Sequence, residues 1–308
     1  MSNKLKIYTK DYLISEVVEE QLLYFGKLSE DIVRRNKTFR DIAINDINNL
    51  IDYTNVESCD FIYHPFKINK NANIDDLIHL SERFCKKIIL FYNDDDDSIF
   101  NFKNSILFRT SIYKSTKPEN HLSLPAFCND LKKETGYSFR TKNKKPTVGF
   151  CGAITHHLRQ LTINSLNKTS IPKNFIIRNS FWGGHIWGND VRDEYIKNSI
   201  NSDFVICIRG AGNFSYRLYE TLCLGRIPLI INTDISLPFN DFLDYSHHLL
   251  VINDLNKIES EIYQYWSEVY DYKELQQSLI NLWDEILSPL GFIKKLNKHK
   301  DEINNLLH

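Results

Sequence analysis

Arg209, Gly210, Gly212, Asn213, Ser215, Arg217 and Glu220 are crowded into the stretch CIRGAGNFSYRLYETLCLGRIPLII, Cys207–Ile231. These residue types suit a diphosphate joined to a ribose. Cations and bare N–H groups meet phosphate oxygens, and a carboxylate accepts from sugar hydroxyls. Gly210 and Gly212 permit positive φ and leave backbone N–H groups uncovered. Asn213 is placed to N-cap a helix over Phe214–Leu224, with Gly225 ending it and Pro228 preventing its continuation. A glycine turn feeding a helix N-terminus attracts anions through free N–H groups and the macrodipole. The spacing puts Arg217 and Glu220 on one helical face. It also admits a plainer reading, a structural turn with an exposed Arg217–Glu220 ion pair worth about 0.3–0.5 kcal/mol. The GK[ST] element of a P-loop is absent.

Strands must hold this turn. DFVICI (Asp203–Ile208) precedes it and IPLII (Ile227–Ile231) follows, and both are unbroken apolar runs of the kind buried in parallel sheets. Upstream, TVGFCG reads as a strand, HHLRQLTINSL as a helix, NFIIRN as a strand and Asp190–Ser199 as a helix. Two helices, Asn256–Tyr270 and Lys273–Leu287, come last. The first half repeats the alternation. A strand at Lys4–Tyr8 is followed by helices over Leu13–Arg35 and Phe39–Tyr53. Then come the strand in DFIYHPF (Asp60–Phe66), a helix over Asp75–Lys87 and the central strand KKIILFY. The polar, basic RTKNKKP (Arg140–Pro146) reads as a linker. The expected fold is α/β, with two Rossmann-like domains, 1–143 and 144–308, facing a cleft.

The chain has 308 residues, 42% hydrophobic and 25% charged, with a net charge of −1. Two domains fit that length, and the charge balance gives no global field for nucleic acid. MSNKLKIYTKDYL has no apolar h-region, and runs such as Pro228–Ile231 are too short to span a bilayer. The six cysteines show no CxxC spacing. Cys151, Cys207 and Cys223 fall in apolar segments, as buried free thiols would in a reducing cytoplasm.

Ser202–Tyr245 resembles the exostosin domain, glycosyltransferase family 47. The shared pattern is a strand, then R/P-x-G-x-G-x-x-S-x-R-x-x-E, G-x-I-P-V, an Asp, L-P-F and L-D-W. It is met here by Arg209, Gly210, Gly212, Ser215, Arg217, Glu220, Gly225, Ile227, Pro228, Asp234, Leu237, Pro238, Phe239, Leu243 and Asp244. Leu229 replaces the valine and Tyr245 the tryptophan. Weaker likeness extends to DFIYHPF and VGFCG…LRQ. The resemblance implies a GT-B fold and inverting sugar transfer from a nucleotide sugar, a UDP-sugar being expected. The chain is thus similar to a bacterial, cytoplasmic relative acting on a surface glycan such as capsule or lipopolysaccharide. The second domain would bind the donor and the first a glycan or lipid-linked glycan acceptor, with the C-terminal helices crossing back to the first.

Other residues carry alternatives. His156, His157 and Arg159, at the first strand–helix turn of the second domain, suit diphosphate or acceptor, or are helix-surface side chains. The two histidines should point apart and so not share a metal. SFWGGHIWGND (Ser180–Asp190) offers Trp182, Trp187 and His185 for stacking on a sugar or base, or for packing alone. An inverting transfer needs one general base, and His64, after the strand Phe61–Tyr63, is a candidate beside a structural reading. Asp94–Asp97 would hold Mg²⁺ or Mn²⁺ in a metal-dependent transferase, or form a solvated loop. No metal is expected, because arginines and a helix dipole can meet the diphosphate charge. The basic tail FIKKLNKHK (Phe292–Lys300) suits peripheral contact with anionic lipid, or a solvated helix end. The alternative from another class is a non-catalytic nucleotide-sugar-fold subunit that supports a partner transferase.

Overall fold

A computed structural model describes residues 4–9, 49–64, 68–134, 137–180 and 189–307. The helix expected over Leu13–Arg35, and Trp182, His185 and Trp187, lie outside them. The chain forms two compact units. One comprises Met1–Asn129, Asp234–Phe239 and Asp284–His308; the other comprises Asp130–Thr233 and Asn240–Trp283.

The first unit contains β1 (Leu5–Tyr8), β2 (Ile51–Tyr53), β3 (Phe61–Tyr63), α1 (Asp75–Phe84), β4 (Lys87–Tyr92), β5 (Ser105–Arg109) and β6 (His121–Ser123). All strands are parallel, in the order β2-β1-β3-β4-β5-β6. Ile51–Tyr53, expected at the end of a helix, is strand instead, because Ile51 is buried and pairs with Leu5. α1 stops at Phe84, since Cys85 turns left-handed at φ 52°. Ile62, Ile88, Leu90 and Leu107 are almost wholly buried, as a sheet covered on both faces requires.

The second unit contains α2 (Leu131–Glu134), β7 (Val148–Ala153), α3 (His157–Asn167), β8 (Lys173–Arg178), α4 (Asn189–Ile200), β9 (Phe204–Ile206), α5 (Tyr216–Cys223), β10 (Ile227–Ile231), β11 (Leu250–Ile252), α6 (Ile258–Glu268) and α7 (Tyr272–Leu282). Its strands are parallel in the order β11-β10-β9-β7-β8. Counted from each unit's first strand, the sheets run 2-1-3-4-5-6 and 2-1-3-4-5, both doubly wound orders. These are two Rossmann-like units.

The expected single boundary after residue 143 is replaced by one after Asn129 and by two later returns to the first unit. Arg140–Pro146 is no free linker. Asp203 is fully buried, and Arg140 Nε (2.8 Å) and Thr147 N (2.8 Å) satisfy its two oxygens. The chain rejoins the first unit as α8 (Pro289–Lys298) and α9 (Lys300–Asn304). Phe292, 0% exposed, packs on Phe91, Phe108, Phe127 and Phe239 there. Phe292, Ile293 and Leu296 therefore belong to the core rather than to a lipid-facing stripe, and Lys300 pairs with Asp60 at 2.9 Å. Among the described residues no helix is long and apolar enough to cross a membrane. The six cysteines are free; Cys151, Cys207 and Cys223 are buried as expected, and Cys85 is exposed.

Candidate active site

In a doubly wound sheet, ligands collect beyond the carboxyl ends of the strands, where the strand order reverses. In the second unit that point lies between β7 and β9. Two arginines bridge it. Arg159, on the first turn of α3, donates from Nη1 to Ala153 O at the end of β7 (3.0 Å). Its Nη2 donates to Ile208 O just beyond β9 (3.1 Å). Arg217, on the first turn of α5, donates from Nη2 to Cys151 O of β7 (2.9 Å) and from Nη1 to Ile206 O of β9 (3.4 Å). Side-chain donors thus satisfy carbonyls that diverging strands cannot give each other.

Neither arginine has a carboxylate partner among the described residues. The Nε atoms of both are buried without a hydrogen bond, and Arg159 is only 9% exposed. Burial, and next the charge of Arg217, push the Arg159 guanidinium down to about 10. Two like charges face each other across the switch point, and a bound anion would relieve both.

The glycine turn lies alongside. A Cβ at Gly210 would meet Arg159 Nη2 at 3.8 Å, an ordinary contact. Positive φ among the described glycines occurs at Gly152 and Gly225; Gly210 and Gly212, which permit it, do not adopt it. Gly225 (φ +59°) does terminate the helix as the sequence indicates. The N-cap is Ser215, two residues later than expected, and its side chain makes no capping bond. Asn213 is diverted by a tertiary partner: it is wholly buried and donates from Nδ2 to Thr233 O at 3.1 Å. Arg209 folds over its own turn, with Nη2 donating to Ala211 O at 2.6 Å.

His156 N-caps α3, its Nδ1 accepting from Leu158 N at 3.3 Å. Nε2 therefore carries the proton of the neutral ring. Burial and then the charges of His157, Arg209 and Arg159 lower its pKa. The two histidine rings do not point apart. Their centroids lie 4.5 Å from each other, because His156 is a cap rather than a helical residue. His156, His157, Arg159, Arg209, Gly210, Arg217 and Glu220 thus gather at one edge of the second unit.

Glu220 is engaged from α4. Arg192 Nη1 donates to its Oε1 at 3.0 Å, and the Tyr195 hydroxyl donates to Oε2. Sequence reasoning passed over Arg192 and Tyr195. Their one available signal was i, i+3 spacing on a helix flanking the switch point. It also missed Gly152, where a Cβ would meet Arg217 Nη2 at 2.9 Å.

In the first unit, His64 directly follows β3, so it sits at that unit's own switch point between β1 and β3. Burial lowers its pKa. The aspartate run is an ordered loop. Asp96 accepts from Tyr92 Oη (2.9 Å) and Ser98 Oγ (2.6 Å), while Asp97 accepts from Ser111 Oγ and Tyr113 Oη. Arg109, 1% exposed, holds the loop through Asp96 O (2.8 Å) and Ser98 O (2.7 Å). Among the described residues no group of three His, Cys, Asp or Glu could hold a metal ion. An open groove of about 440 Å³ between β8 and α4, lined by Asn174, Asp193, Lys197 and Asn201 among others, includes none of these candidates.

No family model matches the chain. A curated relative, the Exostosin-1 homolog of Caenorhabditis elegans, is 29% identical over 107 residues; these are 34% of this chain and 28% of that protein. The chain therefore spans well under two thirds of that relative's length. Among solved structures, a glycosyltransferase from Rickettsia africae ESF-5 is similar over 98% of this chain and 99% of its own, with 13% identity and a TM-score of 0.46. The β-glucosyltransferase of T4 phage is similar over 98% and 97%, with 11% identity and a TM-score of 0.34.

Proposed function

We propose that this protein is a glycosyltransferase that moves a sugar from a nucleotide sugar, of the UDP type, to a glycan acceptor. The observation that carries the reading is the pair Arg159 and Arg217, which spans the β7–β9 switch point with no carboxylate counter-ion among the described residues. In such a transfer the sugar–phosphate bond breaks and negative charge grows on the departing diphosphate. Preorganised guanidinium groups facing that charge lower the barrier. Glu220, with its carboxylate turned toward α4, takes the ribose. The similarity to an exostosin homolog supports glycosyl transfer as the chemistry.

In an inverting single displacement, a base takes the acceptor hydroxyl proton as its oxygen attacks the anomeric carbon. His64 is our candidate, since its lowered pKa keeps the imidazole neutral and able to accept a proton. We place the acceptor with the first unit and infer a free or lipid-linked bacterial surface glycan. Arginines supply the charge that a metal would otherwise supply.

A thermal-shift and calorimetric screen across nucleotide sugars tests the reading. A ligand binding only the native state stabilises it by about 2.7 kcal/mol at 100 Kd. A UDP-sugar should bind, and Arg159→Ala and Arg217→Ala should each weaken it. Binding that survives both substitutions unchanged, or no binding by any nucleotide sugar, would overturn it.

A further inference from the structure

Tyr195 lies on α4, outside the glycine turn and its flanking motif, yet it touches both functional side chains of α5. Its hydroxyl donates to Glu220 Oε2. Its ring centroid is 5.6 Å from Arg217 Cζ, and also 5.6 Å from Arg192 Cζ. Arg217 further rests on Phe150, 4.7 Å from that ring centroid. Resting on rings and donating to two carbonyls, the guanidinium has its plane fixed.

We propose that Tyr195 is a positioning residue of the nucleotide site, aiming Glu220 at the ribose and supporting Arg217 for the diphosphate. The inference rests on the nucleotide-sugar reading above. A carboxylate offers about four lone-pair sites, two on each oxygen. Arg192 occupies one on Oε1 and Tyr195 one on Oε2, so one remains on each oxygen. One remaining acceptor site on each oxygen matches in number the two O–H donors of a vicinal diol, as on a ribose. Burial, and then the negative charge of Glu220, hold the Tyr195 phenol protonated. It therefore donates in this pair, and Glu220 Oε2 accepts.

The test uses two probes on the full chain: UDP, which has a ribose, and inorganic diphosphate, which has none. Tyr195→Phe keeps the ring and removes the hydroxyl. It should weaken UDP about tenfold, the scale of one hydrogen bond to a charged group, and leave diphosphate affinity unchanged. Tyr195→Leu should weaken both probes, because the support under Arg217 is lost. In a Glu220→Gln background, Tyr195→Phe should cost UDP far less than in the wild type, since Tyr195 acts through the carboxylate. A merely structural tyrosine would move both probes together, and that outcome overturns the proposal. So does a Tyr195→Phe variant that binds UDP as the wild type does; the nucleotide-sugar reading then stands. If the wild type binds neither UDP nor any UDP-sugar, that reading fails and Tyr195 loses its role with it.

Discussion

Arg217 and Glu220 stand one helical turn apart on α5, yet they do not pair. Arg217 donates to Cys151 O and Ile206 O, whereas Glu220 accepts from Arg192 and Tyr195. A surface ion pair would have explained both charges and required nothing else. Instead the arginine is left with carbonyl and aromatic neighbours, and the carboxylate is held from another helix. This separation makes the two roles distinguishable by experiment.

Arg217→Ala should lower kcat by about 10²–10³, the scale of deleting one preorganised donor to developing charge. Arg217→Lys should not restore it, because an ammonium cannot span two carbonyls on different strands and lie over two rings. Steady-state kinetics on variants whose circular dichroism matches the wild type would check both. Wild-type kcat in either variant would remove Arg217 from the reaction.

Glu220 should separate from Arg217 in the kinetic constants. A carboxylate on ribose binds ground state and transition state alike, so Glu220→Ala should raise the donor KM with kcat little changed. Glu220→Gln should be milder, since it keeps one acceptor oxygen. Equal losses in kcat for both variants would place Glu220 nearer the reacting atoms than we do.

Turnover should persist in excess EDTA. The carboxylates of Asp96 and Asp97 accept from hydroxyls of Tyr92, Ser98, Ser111 and Tyr113, and the proposed phosphate site draws its charge from arginine. Loss of activity in EDTA, restored by Mn²⁺ and abolished by Asp97→Asn, would move the chemistry to the aspartate loop.

The sequence made the strand–helix alternation legible, because unbroken apolar runs such as IPLII and KKIILFY admit few other settings. The glycine turn, Arg159 and Arg217 stood out by residue type and spacing. What stayed hidden depended on contacts distant in sequence. Asn213 and Ser215 are both good caps, and only the bond from Asn213 to Thr233 decides between them. RTKNKKP reads as solvent-facing until the buried Asp203 is known to need Arg140. Tyr195 reads as an ordinary helical tyrosine, because its link to Glu220 spans 25 positions.

Acid should destabilise the first unit through His121. This residue is 0% exposed, its Nε2 bonds Phe100 O (3.0 Å) and Asn101 Oδ1 (2.7 Å), and its Nδ1 has no hydrogen-bond partner among the described residues. Burial, then the charge of Arg109, push its pKa down to about 4 from an ordinary 6.5. The unfolded chain therefore takes up a proton that the folded chain refuses. Stability is full above about 6.5 and falls as pH drops toward about 4, below which both states are protonated. Urea unfolding across that window should show the slope, and His121→Gln should flatten it. An unchanged slope would assign the acid response to other groups.

Gly152→Ala should spare the fold and damage the site. The added Cβ would lie 2.9 Å from Arg217 Nη2, at the far end of a flexible side chain, so the guanidinium can swing aside. Doing so breaks its bond to Cys151 O and lifts it from the ring of Phe150. The backbone at φ +153° adds strain for any residue with a side chain. The expected result is a melting temperature a few degrees lower, from about 1 kcal/mol of backbone strain. UDP affinity should fall by about as much as in Arg217→Ala. Gly149→Ala is the control. Its Cβ would lie 2.1 Å from Ser202 Oγ and 2.6 Å from Ser202 Cβ, a packed contact without room to yield. That variant should lose about 1–3 kcal/mol of stability or more, as overpacked cores do. If Gly152→Ala instead matched Gly149→Ala in lost stability and kept its UDP affinity once folded, the close approach to Arg217 would be packing alone.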